Sequence, residues 1–522
     1  MNIMRSVAAS VAAAALLLSL PCASASARAG LARDAASAEG AASAVGAASA
    51  VGVADAAGAA SVVSGCPVGA TCGSLRVPLD RDDPSAGTTT VAYALVRRHD
   101  TSRPAEGTIV PNPGGPGVPV IGHRDYAGAY RHLLDSYDLL LVDPRGVGGS
   151  GPLRCDSARW SDLSGSRLLA LEAVHACGTE IGARRRYYTT AAAADDIDAV
   201  RAHLGIGRLD LLGQSYGTYL MTVYAERHPE HVRSIVMSSA YPLDFDMLGG
   251  PAARAMRRSV HLLCRRSGGG CDGDAVLDDL KTMARRLEDR PIRYSGGVLD
   301  DTALASTVYK LASSHVELYG RLPEALRLAV QRDVEPLVEL AERVRPISGS
   351  AARGRTFSLP MYVTVTCNDY PALWDRRAPV RERFRQYAAH VARLDPSEYR
   401  PFRPQAWIAG IVDLGDFCVR WPDRAAPARY GYGRLPDVPV LVLSGELDLS
   451  TPTEEGLLAA EQYRDAQVIE VPSTGHVAEK QDRASSCVIS LETQFIRRGR
   501  VGDRTCLRRI PPVEVRSVAE MK

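Results

Sequence analysis

The sequence predicts an α/β protein: a mainly parallel sheet covered by helices on both faces, with a large helical segment inserted late in the chain. Three observations carry this expectation. Wholly apolar strand-like runs at Tyr137 to Val142, Leu209 to Leu212 and Val232 to Met237 alternate with helical spacing, the pattern of a buried parallel sheet. From about Pro242 to Leu435 helical stretches dominate, and the strand-like runs then resume at Pro439 to Leu443 and Gln467 to Val471.

The first 27 of the 522 residues read as a signal peptide. Arg5 precedes an apolar run from Val7 to Leu20, and Ala23 to Ala27 offers small residues for cleavage. The run is shorter than the roughly 18–20 residues that cross a bilayer, and Pro21 stands where a lipidated Cys22 would need a small neighbour. A secreted product without stable membrane association is expected. Residues 28–64 are nearly all Ala, Gly, Ser and Val, with no large side chains to offset the cost of ordering, and read as a leader or pro-segment. Residues 65–241 read as the first part of the core, 242–435 as a helical lid, 436–510 as its second part and 511–522 as a tail.

Within the first part, Leu75 to Leu79, Thr89 to Val96 and Thr108 to Val110 are short β-type runs, the last leading into Asn112-Pro113-Gly114-Gly115-Pro116-Gly117. Ala191 to Leu204 has helical spacing, with Asp195, Asp196 and Asp198 in the early turns, where the helix dipole favours acids. Ala275 to Leu287, Glu324 to Val330 and Val380 to Leu394 read as helices of the lid, and Cys487 to Ile496 as a terminal helix.

Composition narrows the function. Apolar residues make up 46% and charged residues 23%, which excludes a fibrous or disordered chain. Sixty-two basic against 60 acidic residues leave a net charge of +2, so nothing points to nucleic acid. The Arg-rich stretches Arg184 to Arg186 and Arg497 to Arg509 lack interleaved aromatics and read as solvated faces. No phosphate-cradling or dinucleotide motif is present, and His228-Pro229-Glu230-His231 lacks metal-ligand spacing and reads as a helix end. Neither cofactor nor metal is expected. Asp143 and Arg145 read as a loop-bracing ion pair.

The chemistry is legible in three places. Leu209 to Leu212 runs into Gly213-Gln214-Ser215-Tyr216-Gly217 and then a helix from Tyr219 to Arg227. In such a strand–turn–helix the serine sits on a cramped turn where side chains at the flanking glycines would strike the backbone. Asp448 follows the strand-like Val440 to Leu443, and His476 follows Val468 to Val471. A serine hydroxyl needs an imidazole to take its proton, and the imidazole needs a carboxylate to hold its tautomer. The order Ser215, Asp448, His476, with acid and base at strand ends, is that of the α/β-hydrolase fold. Glu446 and Asp437 are the rival acids, less well placed in the loop. Gly114, Gly115 and the backbone N–H of Tyr216 are the expected oxyanion donors.

Taken together, the G-G-P-G turn, Asp143 to Gly151, G-Q-S-Y-G, Gly445 to Pro452 and S-T-G-H resemble the prolyl-aminopeptidase branch of the α/β-hydrolases, and more narrowly the secreted tripeptidyl aminopeptidases of Streptomyces. The resemblance runs from about Cys66 to Cys506 and includes Cys367-Asn368-Asp369-Tyr370 and a TAP-like C-terminal region from about Trp407. It implies release of tripeptides from unblocked N-termini by a serine peptidase. The alternatives are an esterase or amidase acting on a small molecule with the same triad, and a non-catalytic binding protein, which the intact triad disfavours. One segment departs from the family pattern: Ser238-Ser239-Ala240-Tyr241-Pro242 stands where a glycine-containing acidic turn is expected. An aminopeptidase needs a carboxylate for the substrate ammonium; Asp369, Glu317, Asp244 and Asp246 are the candidates. Cys22 leaves with the signal, so ten of eleven cysteines remain. Chain proximity and the resemblance imply Cys66–Cys72, Cys155–Cys177, Cys264–Cys271, Cys367–Cys418 and Cys487–Cys506. The oligomeric state is not legible.

Overall fold

The computed structural model describes residues 65–122, 125–159, 166–345, 356–422, 433–483 and 486–516. The signal peptide, the leader and the last six residues of the tail lie outside them. The strands are β1 (Thr71–Pro78), β2 (Thr88–Val96), β3 (Gly107–Asn112), β4 (Tyr137–Val142), β5 (Leu209–Gln214), β6 (Val232–Ser238), β7 (Ile292–Tyr294), β8 (Gly297–Leu299), β9 (Val440–Gly445) and β10 (Ala466–Val471). Eight of them form one sheet in the order β1-β2-β4-β3-β5-β6-β9-β10. From β4 to β10 every neighbour is parallel, whereas β2 is antiparallel to both β1 and β4.

The central strands are apolar because both their faces are covered. Every residue of β4, β5 and β9 is buried. Leu209 and Leu211 face one core and Leu212 the other, the alternation a pleated strand imposes. Each such side chain contributes roughly 1.5–3 kcal/mol by leaving water. The edge strand β1 instead buries only Val77 fully, as a strand with one unpaired side does.

Helix Thr190–His203 is capped by the Thr189 hydroxyl, which accepts from Ala192 N. Its start corrects the expectation for the aspartates, which lie beyond the first turn and serve ion pairs instead. Asp195 meets Arg227, Asp196 meets Arg145 and Arg81, and Asp198 meets Arg201. Arg145 and Asp143 do not pair with each other. Arg145 is fully buried on Asp196, and Asp143 accepts from the backbone N–H groups of Val120, Ile121 and Gly149.

Between β6 and β9 the chain forms helices, including Gly250–Arg266, Gly273–Asp289, Asp301–Ser314, Leu322–Val330, Leu359–Asp369, Val380–Val391 and Pro404–Gly410. One feature there has no mark in the sequence: β7 and β8 form a hairpin of two three-residue strands, too short to show a period of two. All five expected cysteine pairs are joined. Among the described residues no helix is long and apolar enough to cross a membrane.

Candidate active site

Ser215 lies between β5 and helix Tyr216–Arg227 with φ of 55° and ψ of −129°, a conformation that costs an L-residue energy and is held by its surroundings. Its N–H donates to Ser238 O at 3.0 Å, and its carbonyl accepts from the Thr218 N–H and hydroxyl, both at 2.8 Å. The flanking glycines are sterically required. A Cβ on Gly213 would lie 2.5 Å from Gly217 O, and one on Gly217 would lie 2.2 Å from Asn112 O.

The loops after β9 and β10 bring the other two residues to this serine. His476 Nε2 is 2.8 Å from Ser215 Oγ, and His476 Nδ1 is 2.9 Å from Asp448 Oδ2. Asp448 is wholly buried. Burial alone would raise its carboxyl, but the His476 charge and hydrogen bonds from His476, Thr451 and Ser450 hold it below the usual carboxylate value. The rival acids are engaged elsewhere: Glu446 with Arg266 and Ser473 N, Asp437 with Arg464.

Several supporting residues escaped the sequence reading. Thr451 donates its hydroxyl to Asp448 Oδ2 at 2.7 Å. Ser239, in the segment that departs from the family pattern, donates to the same oxygen at 3.0 Å and accepts from Val477 N at 2.7 Å. The unusual turn after β6 therefore links the loops that carry the acid and the base.

The glycine turn after β3 packs on the nucleophile. A Cβ on Gly114 would lie 2.4 Å from Gln214 O and 2.9 Å from Tyr216 N. The N–H of Gly114, however, donates to Asn112 Oδ1 at 3.0 Å, which removes it from the expected oxyanion donors. Gly115 and Tyr216 remain; Tyr216 opens its helix, so its N–H has no intrahelical acceptor.

The four candidates for a substrate ammonium fare differently. Asp369 is buried, with Oδ2 accepting from both the N–H and the hydroxyl of Thr190 at 2.6 Å. Asp246 accepts from Leu248 N and Gly250 N at the start of a helix. Asp244 and Glu317 are exposed. A residue the sequence reading did not name comes closer to the chemistry. Asp413, part-buried, lies beside Tyr362 and within electrostatic reach of His476. Burial pushes its carboxyl up, against the lowering pull of its own backbone N–H, Tyr362, Arg167 and His476. Arg167 braces this loop through Asp416 and the carbonyls of Val412 and Leu414. Tyr241, Tyr309, Tyr362 and Tyr370 all feel the Asp413 charge. Phe245 stacks edge-on against Tyr241 and Tyr370 with centroids 5.0 and 4.9 Å away.

Residues 107–259 match the family model described as alpha/beta hydrolase fold, and residues 406–506 match the one described as TAP-like protein. The chain has the α/β-hydrolase fold. It is 26% identical over 439 residues to a tripeptidyl aminopeptidase of Streptomyces lividans, covering 76% of each chain. It is 27% identical over 472 residues to the serine protease Hip1 of Mycobacterium tuberculosis, covering 82% of this chain and 85% of that one. It is also 29% identical over 458 residues to carboxylesterase B of the same organism, covering 78% and 81%.

On the α/β-hydrolase scaffold the first matched segment carries Ser215 and the second carries Asp413, Asp448 and His476. Among the described residues one group, Asp198, His228 and His231, gathers possible metal ligands. The Asp198 carboxylate there already accepts from Arg201, Tyr224 and His231, and the guanidinium would have to give way before a cation could bind.

Proposed function

We propose that this protein is an exported serine peptidase that releases tripeptides from unblocked N-termini through an acyl-enzyme. Ser215 attacks the carbonyl, His476 takes the serine proton and returns it to the leaving amine, and Asp448 holds the histidine tautomer and stabilises its cation. The N–H groups of Gly115 and Tyr216 receive the developing oxyanion. The observation that carries the reading is the chain of contacts from Ser215 Oγ through the His476 ring to the buried Asp448. The tripeptidyl aminopeptidase and serine protease relatives supply the direction of the substrate. Asp413 takes the ammonium role first assigned to Asp369, Glu317, Asp244 or Asp246: it is the part-buried carboxylate beside His476, and the tyrosine wall around it suits peptide side chains. The segment 242–435 acts as the lid that limits access to chain ends. Residues 1–27 direct export, where the five disulfides form.

A small-molecule esterase is the second reading, favoured by the carboxylesterase relative. Free and N-acylated tripeptide chromogenic substrates, set beside a p-nitrophenyl ester panel with Ser215→Ala as control, separate the two. The peptidase reading expects turnover of the free tripeptide to exceed that of the blocked one. Equal turnover favours the esterase, and wild-type activity in Ser215→Ala overturns both.

A further inference from the structure

On the face of the sheet covered by helix Cys487–Arg498, two carboxyl groups meet, and among the described residues no cation pairs with them. Glu492 has 0% exposure, and its Oε2 accepts from the Tyr130 hydroxyl at 2.8 Å. Its Oε1 finds no donor, and the group it meets is the carboxyl of Glu479. Among the described residues Tyr130 acts on Glu492, and Tyr126, from the segment after β3, acts in turn on Tyr130. Glu492 is buried and Glu479 part-buried, and a carboxylate desolvated beside a second carboxyl group ionises with difficulty; a single proton turns the orphaned oxygen of Glu492 into a donor to Glu479.

Glu479 in turn grips the catalytic turns from behind. Its Oε1 accepts from Gln214 Nε2 at 2.7 Å, and its Oε2 accepts from the Ser238 hydroxyl. Gln214 immediately precedes Ser215, the Ser238 carbonyl accepts the Ser215 N–H, and Glu479 itself lies three residues beyond His476. One side chain thus ties the nucleophile turn and the end of β6 to the histidine loop.

We propose that Glu479 is a positioning residue for the acyl transfer, kept in place by one proton shared with Glu492. The proposal rests on the reading of Ser215 as the nucleophile. When the proton leaves, two adjacent negative charges in an apolar wall repel, Glu479 shifts, and the serine and histidine lose their register. Burial first, and then the Glu479 charge, push the Glu492 carboxyl well up, so this loss comes as pH rises beyond the ordinary carboxylate range.

The test is the rate at which a fluorophosphonate labels Ser215 as a function of pH, in the mature chain and its variants. Glu479→Gln, which replaces one acceptor by a donor facing Gln214 and Ser238, is expected to slow labelling about a hundredfold, the cost of misplacing a reacting group by an ångström. Glu492→Gln has no proton to lose and is expected to keep, beyond the ordinary carboxylate range, the labelling rate that the wild type loses there. Superimposable profiles for wild type and Glu492→Gln would overturn the shared proton. If Glu479→Gln does not fold, the Glu492→Gln profile decides alone. A wild-type protein that is never labelled would sink the nucleophile assignment and this proposal with it, a result distinct from labelling with unchanged profiles.

Discussion

The carbonyl of Ser313 accepts the backbone N–H of His476 at 2.6 Å, and the Ser313 hydroxyl accepts that of Leu449, next to Asp448, at 3.0 Å. Ser313 is the next-to-last residue of helix Asp301–Ser314, which lies between β6 and β9 in the chain. It pins both loops that arrive after β9 and β10.

Removing the Ser313 hydroxyl should therefore reach the triad without touching it. Ser313→Ala leaves the Leu449 N–H buried and unpaired, which costs about 1–3 kcal/mol. Chemical denaturation should register that loss, with kcat lowered and KM little changed. Full stability in the variant would show the contact to be dispensable.

Gly217→Ala should be among the most damaging single changes in the chain. Its Cβ would lie 2.2 Å from Asn112 O, so either the nucleophile helix or the glycine turn after β3 must move. Loss of about a hundredfold in kcat is expected, measured on an activated ester so that peptide binding does not enter.

Asp413→Asn should separate free from blocked substrates. A hydrogen bond to a charged group is worth about 1.5–3 kcal/mol, so KM for a free tripeptide should rise roughly tenfold to a hundredfold. The preference for a free over an N-acylated tripeptide should fall in step. An unchanged preference would place the ammonium elsewhere.

Two buried acids predict opposite pH dependences of stability. Asp448 is held below its ordinary value, so its contribution is present above the unfolded carboxylate range and lost as pH falls through the folded value. Glu455 is pushed up to about 8, first by burial and then by the charges of Asp246, Asp448 and Glu454. Its contribution is full below the unfolded value and lost as pH rises through about 8. Glu455→Gln should therefore raise the thermal midpoint by a few degrees in alkaline buffer and flatten the fall toward it. A calorimetric series across that window checks the sign.

The contact among Ser215, His476 and Asp448 could be anticipated from the sequence because each residue is marked locally, by a glycine pair or by the end of an apolar strand. The same locality located the central strands. Asp413, Ser239, Ser313, Glu479 and Glu492 carry no such mark, since their roles arise from contacts between segments far apart in the chain. The loss of Gly114 as an oxyanion donor also depends on a rotamer, that of Asn112, which no pattern encodes. The aspartates of helix Thr190–His203 were misplaced for a related reason: their partners, Arg227 and Arg145, lie on other elements.

The inserted segment divides the reacting groups in chain order, with the serine before it and both acid and base after it. A polypeptide cut or halted anywhere short of His476 holds a serine that nothing can deprotonate. On the proposed mechanism, nascent chains that have not reached His476 lack the base and are silent as hydrolases. On that mechanism, activity can begin only once synthesis has passed the last strand of the sheet.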